Sequence, residues 1–414
     1  MAVAHVQPYW DLTFDADGDP DPGQRDALLA HVGDRTDLVL FAHGWNDDVS
    51  KASALFARFY APFPGLLADA RRIRLGYAGV HWPSMRFSDE PIPDFPHTAA
   101  LAEAGTDADI AALKRVLPGH DAAADRIAHL LARQPDEPGA LAGFAALVRT
   151  LTGCAEPRAT VLAQDVGGTD APPALFTEDP AAMCAALAGA LAAAQCRADL
   201  LGGLGGTIWS GARELLRQAA YYAMKGRAGR VGRAGLGPLL GLLAVRAPGT
   251  RVHLAGHSFG ARLVSFALAG LPPEARNVAS VTLLQGAFSH SAYAPGGALQ
   301  GLQARVHGPV VACHSTHDQA LGIFYPLMSR LSGDDRSLLG DGRWGALGHD
   351  GFHGIPGTPA MPLAAALRGV LPGGRCVSVD ASAVIRAGGP PAGAHSDIYH
   401  PDLARLALHA AALL

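Results

Sequence analysis

The chain has 414 residues, 49% of them hydrophobic and 17% charged, with a formal net charge of −4. That supply of apolar side chains supports a large buried core, and the slight acidic balance excludes the basic surface of a nucleic-acid-binding protein. The five cysteines (Cys154, Cys184, Cys196, Cys313, Cys376) have no CxxC spacing, so neither a zinc site nor a redox dithiol is expected, and a reducing, cytoplasmic setting is the simpler expectation.

Met1 to Trp10 lack the basic start and long apolar run of a signal peptide. Residues Asp37 to His43 form a short continuous apolar run, which predicts a strand buried on both faces of a parallel sheet. A helix is expected around Lys51 to Tyr60, and another strand within Arg72 to Trp82. Beyond Trp82-Pro83 comes a proline cluster, Pro91, Pro93 and Pro96, and then no buried-strand pattern as far as Thr207. Three amphipathic patterns fill that stretch: Ile110, Leu113, Val116 and Leu117; Ile127, Leu130 and Leu131; Leu141, Phe144, Leu147, Val148 and Leu151. Ala181 to Gln195 is too alanine-rich and weakly apolar to span a bilayer and predicts an ordinary helix. Gly202 to Gly206 suggest a hinge, since nothing in them matches a phosphate-binding loop.

Further buried runs at Arg251 to His257, Val278 to Leu284, Pro309 to His314 and Cys376 to Val379 predict more parallel strands, with a helical pattern over Phe259 to Leu271. The expected organisation is therefore a core in two parts, 1–92 and 208–414, interrupted by a mostly helical insertion over 93–207. Lys225, Arg227, Arg230 and Arg233 form a basic cluster that reads as cations at the negative end of a helix.

The chemistry centres on Gly256-His257-Ser258-Phe259-Gly260. A hydroxyl is a poor nucleophile at neutral pH and needs a base, a group orienting that base, and donors for the oxyanion. In a chain with 50 glycines the Gly-x-Ser-x-Gly pattern can arise by chance, so its setting decides. Here a buried strand runs into Gly256 and a helix leaves from Phe259, the strand-turn-helix context that exposes a nucleophile. Just beyond the strand at Pro309 to His314 lies Asp318, a carboxylate placed to orient an imidazole, with Asp350 and Asp380 as rivals. His395 lies on the loop after the last strand and is the candidate base, with His400, His349 and His353 as rivals. Asp397 is expected to fix that loop or to cap the helix starting near Pro401.

On Gly256 to Gly260, Asp318, His395 and the turn Phe41-Ala42-His43-Gly44-Trp45, the sequence resembles the α/β-hydrolase superfamily over roughly 35–90 and 208–414. Tyr221 to Gly229 and Phe324-Tyr325-Pro326 resemble bacterial esterase- and lipase-like members. The resemblance implies an α/β-hydrolase fold, a mostly parallel sheet flanked by helices, with the insertion as a cap over the site. It implies the catalytic order Ser258, Asp318, His395, oxyanion donors at the backbone amides of Trp45 and Phe259, and a structural role for His43. The implied activity is cleavage of a small-molecule ester through an acyl-enzyme. No cofactor, metal, nucleic acid or membrane span is expected. An amidase or peptidase with the same three residues, and a non-catalytic binding protein on the same scaffold, are the alternatives. Trp82, Trp209 and Phe288 are expected as core residues, with cavity walls as the other possibility.

Overall fold

The computed structural model describes residues 6–45, 49–68, 72–84, 106–137, 139–152, 164–166, 178–198, 208–321, 345–389 and 393–414. The proline cluster, the Gly202 to Gly206 segment, Phe324 to Pro326 and Cys154 lie outside them. The first part runs β1 (Tyr9–Thr13), α1 (Pro22–His31), β2 (Asp37–Ala42), α2 (Val49–Tyr60), α3 (Phe63–Leu66) and β3 (Leu75–His81). The described elements that follow are the helices α4 (Thr106–Val116), α5 (Asp121–Arg133), α6 (Ala140–Thr152), α7 (Pro180–Ala198) and α8 (Ile208–Arg230). A π-helical segment, Val231–Leu236, joins α8 to α9 (Gly237–Arg246). The remainder is β4 (Arg251–His257), α10 (Phe259–Gly270), β5 (Val278–Leu284), β6 (Val310–His314), α11 (Leu347–Asp350), β7 (Ala360–Pro362), α12 (Leu363–Ala366), β8 (Cys376–Asp380) and α13 (Pro401–Ala410).

The strands form one eight-stranded sheet in the order β1-β3-β2-β4-β5-β6-β8-β7, and every neighbouring pair is parallel. This corrects the expectation in two respects. The sheet is parallel throughout, and its order is not the standard one of the α/β-hydrolase fold. Two strands that the hydrophobic pattern does not predict, β1 and β7, lie at the two edges. Along β1 only Leu12 is buried, and β7 has three residues with none buried, so neither carries the continuous apolar run of a central strand.

Central strands carry that run because both sheet faces are covered. In β2, Leu38, Leu40 and Ala42 enter the hydrophobic cluster that holds Leu216, Leu263 and Phe266, while Val39 and Phe41 enter the opposite one with Phe56, Phe59 and Leu403. This two-residue alternation is the pleat of the strand. Phe41 stacks on Phe59 with ring centroids 4.1 Å apart. Trp82, Trp209 and Phe288 are all buried in the first cluster, as core residues. In the insertion, Ile110, Leu113, Ile127, Leu131, Phe144, Val148 and Leu151 are buried, following the helical spacing of the sequence.

The basic cluster needs a correction. The chain stays helical past Arg230 into the π segment and α9, so Lys225 to Arg233 are not at a helix end. Lys225 is buried instead, with Nζ 2.7 Å from the Asp165 carboxylate. Arg227 donates to the Pro83 carbonyl at 3.1 Å, and Arg230 pairs with exposed Asp17 at 3.0 Å. Among the described residues no helix is long and apolar enough to cross a membrane.

Candidate active site

Strand order places the site. From β2 the chain moves outward to β3, then returns to the other side of β2 for β4. The order in which the chain adds strands reverses between β2 and β4, and the crevice beyond the carboxyl ends of such strands is where α/β proteins bind ligands. Gly44 follows β2 and Ser258 follows β4, and they meet there. A Cβ on Gly44 would lie 2.9 Å from the Ser258 Cβ.

Ser258 sits between β4 and α10 with φ +57° and ψ −121°, a conformation that a side-chain-bearing residue rarely adopts. The turn closes only on glycines. A Cβ on Gly256 would come within 2.4 Å of the Gly260 carbonyl, and one on Gly260 within 2.1 Å of the Ala42 carbonyl oxygen. Neighbouring strand ends hold the elbow. The Ser258 N–H donates to the Leu284 carbonyl at 3.1 Å, and the Ala287 N–H donates to the Ser258 carbonyl at 3.2 Å.

The three predicted residues are brought together from the ends of β4, β6 and β8. Ser258 Oγ lies 2.9 Å from His395 Nε2, and His395 Nδ1 lies 2.7 Å from Asp318 Oδ2. A carboxylate only accepts, so Nδ1 carries the proton and Nε2 is free to accept one from the hydroxyl. Asp318 is fully buried, and its other oxygen accepts from the Leu321 N–H at 3.0 Å. The loop of the acid docks on the loop of the base, with the Ala394 N–H donating to the His317 carbonyl at 3.0 Å.

The rivals are engaged elsewhere. Asp350 pairs with His349 at 2.6 Å and faces His290 at 3.3 Å. Asp380 accepts from the Ser382 N–H at 2.9 Å. His400 donates to Asp397 at 2.8 Å, and His353 stacks on His290. Asp397 fixes the loop, accepting from the Arg386 and Ala387 N–H groups, and the helix cap position is taken by His400.

Around the turn after β2, the Trp82 N–H donates to His43 Nε2 at 3.2 Å, so the His43 proton is on Nδ1, which donates to the Gly44 carbonyl at 2.8 Å. In a trans peptide the carbonyl and the following N–H point in opposite directions. Holding the Gly44 carbonyl against His43 therefore turns the Trp45 N–H away from that ring. Phe259 is the first residue of α10, where N–H groups have no partner within the helix and the dipole favours negative charge. The Tyr221 ring meets Trp45 edge to face at 5.1 Å between centroids and packs tilted against Phe259 at 4.7 Å. Asn46 and Asp47 of the same turn lie outside the described residues.

Three supporting residues escape sequence reasoning. His257 is buried, and its Nε2–H donates to the His395 carbonyl at 2.9 Å. Burial pushes its pKa down to about 3, reinforced by the His395 and His43 rings, so it stays neutral at any working pH. Gln285 donates to Asp318 Oδ2 at 2.9 Å. Asp165 of the insertion is buried between Lys225 and Arg262, the latter 3.0 Å away on α10, and accepts from the Ser289 N–H. The sequence signals are slight: a polar residue inside a motif, one ending an apolar strand, and an aspartate in an irregular stretch.

Among the described residues no three His, Cys, Asp or Glu side chains converge as metal ligands. No protein-family model matches the chain, and no curated protein and no solved structure matches it.

Proposed function

We propose that this chain is a serine hydrolase of α/β-hydrolase type that cleaves a carboxylic ester through an acyl-enzyme. The observation that carries the proposal is the hydrogen-bonded series Ser258, His395, Asp318, built on a serine at φ +57° at the sheet's switch point. A serine with an imidazole at 2.9 Å, itself oriented by a buried carboxylate, is an activated nucleophile. The departure of the strand order from the standard one does not weaken this, because the site residues follow β2, β4, β6 and β8, all inside the sheet.

In this mechanism His395 Nε2 takes the Ser258 proton as Oγ attacks the ester carbonyl carbon. The imidazolium is stabilised by Asp318, which stays ionised. The tetrahedral oxyanion accepts hydrogen bonds from the Trp45 and Phe259 amides. His395 then protonates the departing alcohol oxygen, leaving Ser258 acylated. Water, deprotonated by the same imidazole, releases the acid. The helices of the insertion form a cap that shapes the acyl cavity and limits water.

Fluorophosphonate labelling tests this directly. One adduct is expected on Ser258 by intact mass and peptide mapping. S258A should take no label and lose at least about 10⁴-fold in short-chain p-nitrophenyl ester hydrolysis, with an unchanged circular-dichroism spectrum. Absence of an adduct on folded wild-type protein, or full activity in S258A, refutes the proposal.

A further inference from the structure

We infer that Gln285 is a positioning residue that sets the orientation and charge of Asp318, and through it the basicity of His395. The inference rests on the serine-hydrolase reading above. Three separate observations converge on this residue. Its amide nitrogen lies 2.9 Å from Asp318 Oδ2, the same oxygen that His395 Nδ1 approaches at 2.7 Å. A carboxylate only accepts, so the amide NH₂ and not the amide oxygen faces it. The Gln285 backbone has φ +47°, in the left-handed region that favours glycine or asparagine. Its amide oxygen is buried and finds no hydrogen-bond partner among the described residues. Folding alone disfavours both the backbone conformation and the unmet acceptor, and such features persist where the surroundings hold them for a purpose.

The surroundings do hold it. Gln285 follows β5 directly, its N–H donates to the Cys313 carbonyl at the end of β6, and the Leu284 and Ala287 backbones on either side bond to Ser258. The residue that orients the acid is thus clamped to the segment that carries the nucleophile. With two donors on one oxygen and the Leu321 N–H on the other, the Asp318 carboxylate has one allowed plane. The second donor also shares its negative charge. Without that donor, the uncompensated carboxylate holds the imidazolium form of His395 more strongly. Among the described residues, the other titratable groups within reach of the Asp318 charge are His349 and Tyr221, and the neutral His257 lies behind His395.

The test compares wild type, Q285M and Q285E. Q285M keeps the length and removes the donor. It should lower kcat about tenfold to hundredfold with KM within about twofold, and move the acid limb of kcat/KM up by about one pH unit. Far-downfield proton NMR of the His395–Asp318 hydrogen bond should shift in the same variant, a readout independent of turnover. Q285E donates only while its carboxyl keeps a proton, so its activity should fall as pH rises where wild-type activity is flat. That variant decides the matter if Q285M does not fold. An unchanged acid limb and unchanged resonance in Q285M, or a wild-type pH profile in Q285E, overturn the inference. If wild-type Ser258 takes no fluorophosphonate, the hydrolase reading fails first, and the NMR comparison still decides whether Gln285 controls Asp318.

Discussion

Replacing Asp165 by asparagine should destabilise the protein by about 3–5 kcal/mol, the cost of removing one partner from a buried ion pair. Asp165 is 1% exposed, with Lys225 Nζ at 2.7 Å and Arg262 Nη2 at 3.0 Å. Asparagine keeps the shape and an acceptor for the Ser289 N–H, but it loses the charge and turns a donor toward the Arg262 guanidinium. Burial pushes the Asp165 pKa up, but Lys225 and Arg262 outweigh it and hold the carboxyl at about 2, below its ordinary 3.8. A depressed folded value means stability that is present above about pH 4 and lost as pH falls toward 2; the shift corresponds to about 2 kcal/mol at neutral pH. Urea unfolding of wild type and D165N from pH 7 down to pH 3 would show the two curves converging on acidification. Combining D165N with R262M should cost less than the sum of the single changes, because the charges are coupled. A D165N loss under about 1 kcal/mol at pH 7, or parallel pH curves, would refute the idea that this ion cluster pins the insertion to the nucleophile helix.

G44A puts a methyl group 2.9 Å from the Ser258 Cβ and 3.2 Å from His257 Nδ1, so fluorophosphonate labelling should slow at least about tenfold, with a stability loss of about 1–3 kcal/mol. Equal labelling rates would separate Gly44 from the site. H257F keeps the ring packing but loses the donor to the His395 carbonyl; labelling should slow about tenfold and recover in part in H257Q, and a normal rate in H257F removes His257 from the argument. For His349 the Asp350 hydrogen bond raises the pKa, so its contribution is complete below about pH 6.5 and lost as pH rises through the folded value. Burial raises the Asp350 pKa, but His290 and His349 more than reverse this, so its contribution is present above about pH 4 and lost below. H349Q should therefore flatten the stability loss between pH 6 and 8, read by urea midpoints; an unchanged slope contradicts the pairing.

The chain's own residue pattern determined its local structure. Six strands were legible as continuous apolar runs because a strand covered on both faces has no polar side. The insertion helices were legible from their spacing, and the elbow from two glycines with a strand before and a helix after. The edge strands were hidden, since a sheet edge carries no continuous apolar run.

Strand order favoured Asp318 and His395 over their rivals, and the tertiary structure brings His395 against Ser258 with Asp318 behind it. Asp318 lies just beyond an expected strand and Asp350 in a Gly-rich loop, and in the fold the first faces His395 and the second His349. Ser258 and His395 are 137 positions apart, and no local periodicity encodes a contact that long. Lys225 shows the same limit from the other side: a helical stretch of cations reads as a helix end until Asp165, 60 positions earlier, is seen beside it in the core. Hydrophobic periodicity reports which face of an element is buried. It does not report which polar group waits on the other side, because that depends on how strands from distant parts of the chain are ordered in the sheet.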